Sequence, residues 1–206
     1  EYQTMICALT GMDASNASIY DGPSSAAEAA AMCRDRKRST VLISAAAHPM
    51  VRRTVETYCF GNGMEVKTVP VKNGFTDAQA LTDLLDDTVA CFYLHQPNYF
   101  GRIESAKELG EAAHAAGAKF IMGVNPIAMA VLKTPGECGA DIAVGEGQPL
   151  GMSLSFGGPY LGFMAATAAL TRKLPGRIGG EATDHDGRPG FGSPLPARGA
   201  PHLPEE

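Results

Sequence analysis

The feature that most constrains the fold is a regular alternation of short apolar runs with segments of helical periodicity. Val41-Leu42-Ile43 is one such run, and Pro49, at a first helical position, opens a helix that extends to Phe60 and ends at Gly61. Further strands are predicted at 66–71, 89–94, 120–122, 142–144 and 160–165, and further helices at 77–85 and 105–116. Strands separated by helices of this length form right-handed crossovers, so the sequence predicts an α/β fold with a mostly parallel sheet flanked by helices.

Two more helices are predicted near the amino end. Residues 2–9 carry apolar side chains at the spacing of one helix face, and Gly11 supplies a stop. A capping box, Ser25 with Glu28 three residues on, opens an alanine-rich helix that extends to about Arg36. Because the chain begins inside a helical pattern without an initiator methionine, we expect the natural protein to extend further upstream.

The composition changes towards the carboxyl end. Glycine and proline become frequent from Leu174 onward and periodicity is lost, so this stretch cannot supply a buried face. We therefore interpret residues 1–180 as one large α/β domain and residues 181–206 as an irregular tail.

Composition argues against several classes of protein. With 45% hydrophobic and 19% charged residues, a chain of 206 residues can bury a sizeable core. A net charge of −5 and a pI near 5.5 argue against a nucleic-acid partner. The sequence has no run of about 18 apolar residues and no secretory signal pattern, which predicts a cytoplasmic protein without membrane contact. Five cysteines without a C-x-x-C pair favour reduced, buried thiols over disulfides or a metal site.

In an open parallel sheet, ligands bind beyond the carboxyl ends of the strands, so the loops there are the candidate sites. Four stretches stand out: Ala47-His48-Pro49, His95-Gln96-Pro97-Asn98-Tyr99-Phe100-Gly101, Gly123-Val124-Asn125-Pro126, and Gly145-Glu146-Gly147-Gln148-Pro149 with Gly157-Gly158-Pro159. The sequence has no dinucleotide or phosphate-loop pattern, no Gly-x-Ser-x-Gly elbow and no metal-ligand spacing of its histidines. We therefore do not expect nucleotide binding, hydrolase chemistry or a metal site.

Each candidate also has a structural alternative. His48 either starts the following helix or lines a ligand site with its ring. Asn98 either bonds locally within a strand-to-helix turn or belongs to a binding site or interface. The stretch from Asp21 to Ser25 precedes a helix, and its amides suit either an anion or a plain N-cap.

Several longer strings resemble one family. They are Glu1-Tyr2-Gln3-Thr4-Met5-Ile6-Cys7, Leu9-Thr10-Gly11-Met12-Asp13, Asn16-Ala17-Ser18, Gln96-Pro97-Asn98-Tyr99-Phe100-Gly101, Pro135-Gly136-Glu137, Gly139-Ala140-Asp141-Ile142, Gly147-Gln148-Pro149-Leu150-Gly151, Phe156-Gly157-Gly158-Pro159-Tyr160-Leu161-Gly162 and Leu174-Pro175-Gly176-Arg177. From Glu1 to about Gly190 the chain resembles glycine decarboxylase, the P-protein family of the glycine cleavage system. Tyr20-Asp21-Gly22 looks more like the form with two separate subunits, and the chain resembles the first of them.

The resemblance implies an aminotransferase-like fold, the fold type I of pyridoxal phosphate (PLP)-dependent transferases. It also implies a role in the decarboxylation of glycine and the transfer of the aminomethyl group to the lipoyl group of the carrier H-protein. The implied partners are the second subunit, the lipoylated H-protein and the other glycine cleavage proteins, in a bacterial or archaeal cytoplasm.

Such an enzyme needs a lysine that holds the cofactor and a carboxylate near the pyridine nitrogen. Set against the second subunit of the family, this chain has Gln148 opposite the lysine and Met122 opposite the aspartate. The resemblance therefore implies no catalytic and no cofactor-binding residue here, with PLP held by the partner subunit.

The leading hypothesis is that this subunit completes the partner's active site or substrate channel. The predicted wall residues are His95, Asn98, Tyr99 and Gln148. One alternative is a plain interaction module, and another is an independent PLP enzyme that acts on a different amino acid. Beyond Gly190 the tail departs from the family pattern and looks like translation out of frame, in place of the family's smaller carboxy-terminal domain.

Overall fold

A seven-stranded sheet forms the centre of the computed structural model, which describes residues 1–183 and 185–192. The strands of the chain are β1 (Ala14–Ser15), β2 (Thr40–Ser44), β3 (Glu65–Val69), β4 (Val71–Lys72), β5 (Phe75–Thr76), β6 (Val89–Gln96), β7 (Lys119–Val124), β8 (Ile142–Glu146), β9 (Gly162–Ala166), β10 (Gly180–Thr183) and β11 (Pro189–Gly192). The large sheet has the order β1-β9-β8-β7-β6-β2-β3, in which β3, β2, β6, β7 and β8 are parallel. β9 is antiparallel to β8 and β1, so the prediction of a mostly parallel sheet is confirmed.

Five α-helices cover the two faces of the sheet. They are α1 (Tyr2–Thr10), α2 (Gly22–Cys33), α3 (Pro49–Gly61), α4 (Ala78–Leu84) and α5 (Ala106–Ala115). Side chains of α2 and α3 pack with Val41 and Ile43 of β2 in one core cluster. Side chains of α1, α4 and α5 pack with Leu42 in a second cluster. Because successive side chains of a strand point to opposite faces, β2 contributes to both cores and is buried throughout.

The helix limits follow local signals at most positions. α1 ends at Gly11, which adopts the left-handed conformation with φ of 68°, and α3 begins at Pro49 as predicted. The capping box at Ser25 is wrong. The N-cap of α2 is Asp21, whose side chain accepts a hydrogen bond from the backbone N–H of Ser24 at 2.7 Å, and the helix already begins at Gly22.

The strand predicted at 66–71 is divided in two. Pro70 separates β3 from β4, because proline has no N–H for a sheet ladder. β4 and β5 then pair as a small antiparallel hairpin around Asn73-Gly74, the turn that the sequence predicted.

The carboxy-terminal stretch is more regular than expected. Instead of irregular structure, residues 180–192 contain an antiparallel hairpin in which β10 pairs with β11. The side chain of Gln3 holds the start of this hairpin against α1, since it accepts from the N–H of Gly179 at 2.7 Å and donates to its carbonyl at 3.1 Å. Residues 184 and 193–206 lie outside the described residues, and the reading-frame hypothesis stays a prediction.

In the part of the chain that the structure describes, no helix is long and apolar enough to cross a lipid bilayer.

Candidate functional site

The parallel strands β2, β6, β7 and β8 end at the same side of the sheet, which we call the carboxyl edge. Hydrogen bonds join the loops that follow β2, β6 and β7. The N–H of Tyr99 donates to the carbonyl of Ala46 at 2.8 Å, and the N–H of Asn125 donates to that of Gln96 at 3.3 Å. These three predicted loops therefore meet, as expected for an open parallel sheet.

His95 lies near the end of β6 in contact with Tyr93. Its Nδ1 atom is 3.2 Å from the Tyr93 hydroxyl. Gly123 is the register partner of His95 on β7, and a Cβ atom there would lie 1.9 Å from the Tyr93 hydroxyl and 3.3 Å from Nδ1 of His95. A glycine is therefore required at position 123 for the two rings to lie where they do.

Burial lowers the pKa of His95 to about 4, and the charge of nearby His48 contributes in the same direction. Burial also raises the pKa of Tyr93. Both side chains are therefore neutral at physiological pH. The pair offers hydrogen-bonding groups and an aromatic surface but no ionised general base or acid.

All hydrogen-bonding positions of the Asn98 side-chain amide have partners within the chain. Its Nδ2 atom donates to the carbonyl of Gly74 at 2.9 Å and to Glu104 at 2.7 Å. Its Oδ1 atom accepts from the N–H groups of Phe100 and Arg102, each at 3.0 Å. Two donors and two acceptor positions exhaust the amide, so Asn98 shapes its own loop and joins it to Gly74 of the β4–β5 hairpin.

Glu104, which the sequence analysis did not single out, is the centre of this local network. Its carboxylate accepts from the N–H of Thr76 at 3.1 Å, from the Thr76 hydroxyl at 3.0 Å and from Asn98. The Thr76 hydroxyl is in turn 2.7 Å from that of Ser44. The network joins β2, the β4–β5 hairpin and the loop after β6. No sequence motif marks Glu104, because its partner Thr76 lies 28 positions earlier in the chain.

Tyr99 and His48 form an exposed aromatic pair. Their ring centroids are 5.2 Å apart in an edge-to-face arrangement, and Phe100 stacks edge-on at 5.8 Å from Tyr99. His48 also caps α3, since its Nδ1 atom accepts from the N–H of Met50 at 3.2 Å. The interpretation of His48 as a helix start is therefore confirmed, and its ring lies beside Tyr99, a predicted wall residue.

Gln148 lies in the loop after β8. Its Nε2 atom donates to the carbonyl of Met152 at 2.9 Å, and its backbone N–H donates to Glu146 at 3.0 Å. No hydrogen bond or ring contact among the described residues joins Gln148 to His95, Asn98 or Tyr99. The predicted wall residues therefore lie on one edge but in two separate loop groups.

Large exposed apolar side chains are concentrated at this edge. We call them the apolar rim, and its members are Tyr20, Met50, Phe75, Tyr99, Phe100, Ile103, Ile127, Leu150, Leu154, Phe156 and Tyr160. Elsewhere in the described residues, only Met5, Phe60 and Val131 are comparably exposed. A concentration of this kind is typical of a surface that contacts another molecule.

The fold recurs in several solved structures. A crystal structure of glycine decarboxylase (P-protein) of the glycine cleavage system, in inhibitor-bound form, superposes with a TM-score of 0.86 at 41% identity, over 92% of this chain and 43% of that one. A sphingosine-1-phosphate lyase from Burkholderia pseudomallei superposes with a TM-score of 0.66 at 16% identity, over 95% of this chain and 49% of that one. The second similarity shows the fold alone, and the predicted fold type I class is confirmed.

Curated relatives are similar over almost all of this sequence. "Probable glycine dehydrogenase (decarboxylating) subunit 1" of Desulfitobacterium hafniense is 48% identical over 199 residues, which is 96% of this chain and 45% of the relative. The protein of the same description from Syntrophomonas wolfei is 51% identical over 185 residues, 89% of this chain and 42% of the relative. The chain thus spans about half the length of the curated relatives it matches.

The family model described as "Glycine cleavage system P-protein" matches residues 1–202. This match extends past Gly190, where the tail was expected to depart from the family pattern. A model match over nearly the whole sequence, together with relatives close to half identical, shows the family. The chain belongs to the glycine cleavage system P-protein family.

Proposed function

We propose that this chain is the cofactor-free subunit of a two-subunit glycine decarboxylase and that its carboxyl edge completes the active site of the second subunit. Together the subunits decarboxylate glycine, with PLP on the second subunit, and pass the aminomethyl group to the lipoyl group of H-protein. The other glycine cleavage proteins complete the system in a bacterial or archaeal cytoplasm. The similarity to relatives described as subunit 1 carries this proposal.

The residues at the two decisive positions do not fit a PLP site. Gln148 stands where the resemblance requires a lysine, and a carboxamide cannot form an imine. Met122 stands where a carboxylate is required, and its thioether is fully buried in the core. These two features support the assignment of the cofactor to the partner.

The chemistry of the carboxyl edge suits residues that line the partner's active site or substrate channel rather than residues that take part in the reaction. His95 and Tyr93 are neutral, and the amide of Asn98 is saturated. The rings of Tyr99 and His48 are exposed at this edge, where a partner or its ligand can contact them. We therefore propose that Tyr99, with His48 beside it, contacts the partner or its ligand. Asn98 instead positions its loop.

The proposal is tested by asking which of the two subunits binds PLP through a lysine. Each chain is purified alone, incubated with PLP, reduced with borohydride and digested, and lysine adducts are located by mass spectrometry. We expect a stable adduct on the second subunit and none on this chain. A stoichiometric adduct on any lysine of this chain would refute the proposal.

A second candidate function is a plain interaction module that leaves every active-site contact to the partner. The apolar rim favours it, because contact area alone would account for such a surface. Conservative replacement Tyr99→Phe in the reconstituted complex distinguishes the two. Loss of turnover with unchanged assembly supports a wall residue, whereas unchanged turnover supports the module.

A further inference from the structure

Three backbone N–H groups converge on the carboxylate of Glu146 at the end of β8. Gly22 donates to Oε2 at 3.0 Å, while Gln148 and Leu161 donate to Oε1 at 3.0 Å and 2.7 Å. The donors come from three segments: the first turn of α2, the loop after β8, and the residue before β9. Convergent amides of this kind bind oxyanions such as phosphate and carboxylate.

Every N–H group in the first turn of α2 has a partner within the chain. The N–H of Gly22 goes to Glu146, that of Ser24 to the Asp21 side chain, and that of Ser25 to the Asp21 carbonyl at 2.9 Å. Pro23 has no N–H to offer. The positive end of the α2 dipole, which attracts anions, is therefore already paired with one carboxylate from another loop.

Close backbone packing builds this arrangement. A Cβ atom on Gly22 would lie 3.1 Å from both the Cβ and the backbone nitrogen of Glu146. A Cβ atom on Gly162 would lie 2.3 Å from the Asp21 carbonyl. The start of α2 and the start of β9 thus approach more closely than a side chain at Gly162 would allow, and the Glu146 carboxylate accepts hydrogen bonds from both segments.

We propose that Glu146 is a built-in oxyanion. Its carboxylate occupies a site formed by the N–H groups of Gly22, Gln148 and Leu161, and it thereby excludes the phosphate or carboxylate of any external ligand from the amino end of α2. The inference deepens the proposed function, because it gives a second physical reason why a phosphate-bearing cofactor has no place on this chain.

The same carboxylate positions the loop of Gln148. One oxygen atom accepts from both Gln148 and Leu161, and the N–H of Gly147 reaches the Leu161 carbonyl at 2.6 Å. The two ends of the loop between β8 and β9 are therefore braced by Glu146, which sets where Gln148 lies on the carboxyl edge.

The experiment uses the whole 206-residue chain labelled with ¹⁵N and inorganic phosphate as the probe. The amide resonances of Gly22, Gln148 and Leu161 are followed in the wild type and in Glu146→Ala. We expect no saturable shift in the wild type. In Glu146→Ala the three resonances should move together, with phosphate binding at least about tenfold tighter, a difference of about 1.4 kcal/mol.

Glu137→Ala is the matched control. Glu137 also accepts a backbone N–H, that of Thr134 at 2.8 Å, and its removal changes the net charge equally, but no helix of the described residues begins between positions 131 and 141. This variant should bind phosphate no better than the wild type. If Glu146→Ala does not fold, Glu146→Gln is used instead. This variant should also bind phosphate more tightly than the wild type, but by a smaller factor.

Two results would overturn the inference. One is saturable phosphate binding at these amides in the wild type, and the other is a folded Glu146 variant whose amides bind phosphate no better than those of the wild type. Neither outcome involves the second subunit or turnover. Failure here is therefore distinguishable from failure of the proposed function, which the lysine-adduct experiment tests.

Discussion

The two edges of the central sheet differ in the groups that donate hydrogen bonds to their carboxylates. At the amino edge, where the parallel strands begin, Asp141 accepts from His114 at 2.7 Å, from the Lys119 ammonium at 3.0 Å and from the N–H of Phe120 at 2.8 Å. At the carboxyl edge, Glu104 and Glu146 accept from backbone N–H groups, a hydroxyl and an amide. In the described part of the chain, neither forms a salt bridge.

This difference separates an edge whose charged groups are paired within the chain from an edge that keeps large apolar side chains exposed. At the amino edge opposite charges neutralise each other within the chain, and Arg38 caps the carbonyls of Val89 and Ala116 at 2.8 Å and 3.0 Å. At the carboxyl edge the buried carboxylate of Glu104 and the partly buried carboxylate of Glu146 shape the loops, while the apolar rim remains exposed. The four predictions below test this comparison, in order of decreasing effect on stability.

The largest effect is expected at Gly123. Gly123→Ala places a Cβ atom within 1.9 Å of the Tyr93 hydroxyl, so β6 and β7 must separate or the ring must leave its position. We expect a loss of about 3 kcal/mol in the free energy of unfolding, measured by urea denaturation. Gly61→Ala, at the end of α3 with open space around it, is the control and should not destabilise the chain.

Removing the acceptor capacity of Glu104 is the next test. Glu104→Gln keeps the shape but turns an amide group towards Thr76 and Asn98, which leaves buried donors without acceptors. The expected loss is about 2 kcal/mol. Glu111→Gln, which removes an exposed carboxylate 3.9 Å from Lys107, should change stability by less than about 0.5 kcal/mol. Equal effects of the two variants would contradict a structural role for Glu104.

The third prediction concerns Asp141 at the amino edge and the pH dependence of the free energy of unfolding. Burial alone would raise the pKa of Asp141, but the hydrogen bonds from Phe120, His114 and Lys119 outweigh it and lower that pKa. A lowered folded-state pKa adds stability that is complete above the unfolded value, near pH 4, and disappears as the pH falls through the folded value. Wild-type protein should therefore lose more stability than Asp141→Asn upon acidification below about pH 4. If the free energies of unfolding of the wild type and Asp141→Asn depend on pH in the same way, this account of Asp141 is contradicted.

The smallest effect on stability is expected at Tyr99, which is 54% exposed. Tyr99→Ala should change the free energy of unfolding by less than about 0.5 kcal/mol. It should nevertheless weaken association with the second subunit about fivefold, or about 1 kcal/mol, as measured by calorimetry. Phe60→Ala is the matched control, because Phe60 is 89% exposed at the opposite edge and should leave association unchanged.

Local patterns were enough to predict most of the fold. The end of α1 at Gly11, the start of α3 at Pro49 and the turn at Asn73-Gly74 depend on backbone preferences of single residues, which neighbouring sequence expresses directly. Alternation of strands and helices likewise predicted the parallel sheet and the edge at which its loops meet.

The roles of individual side chains at that edge were decided by tertiary contacts. Asn98 was predicted from its loop, yet only the approach of Glu104 and Gly74 shows that its amide is saturated. Glu146 accepts from Gly22, which lies 124 positions earlier in the chain, and no local pattern encodes that meeting. Sequence periodicity predicts which faces are buried, because the spacing of apolar residues is a property of each element alone. Hydrogen-bond partners depend on which loops the assembled sheet brings together, and that requires the complete fold.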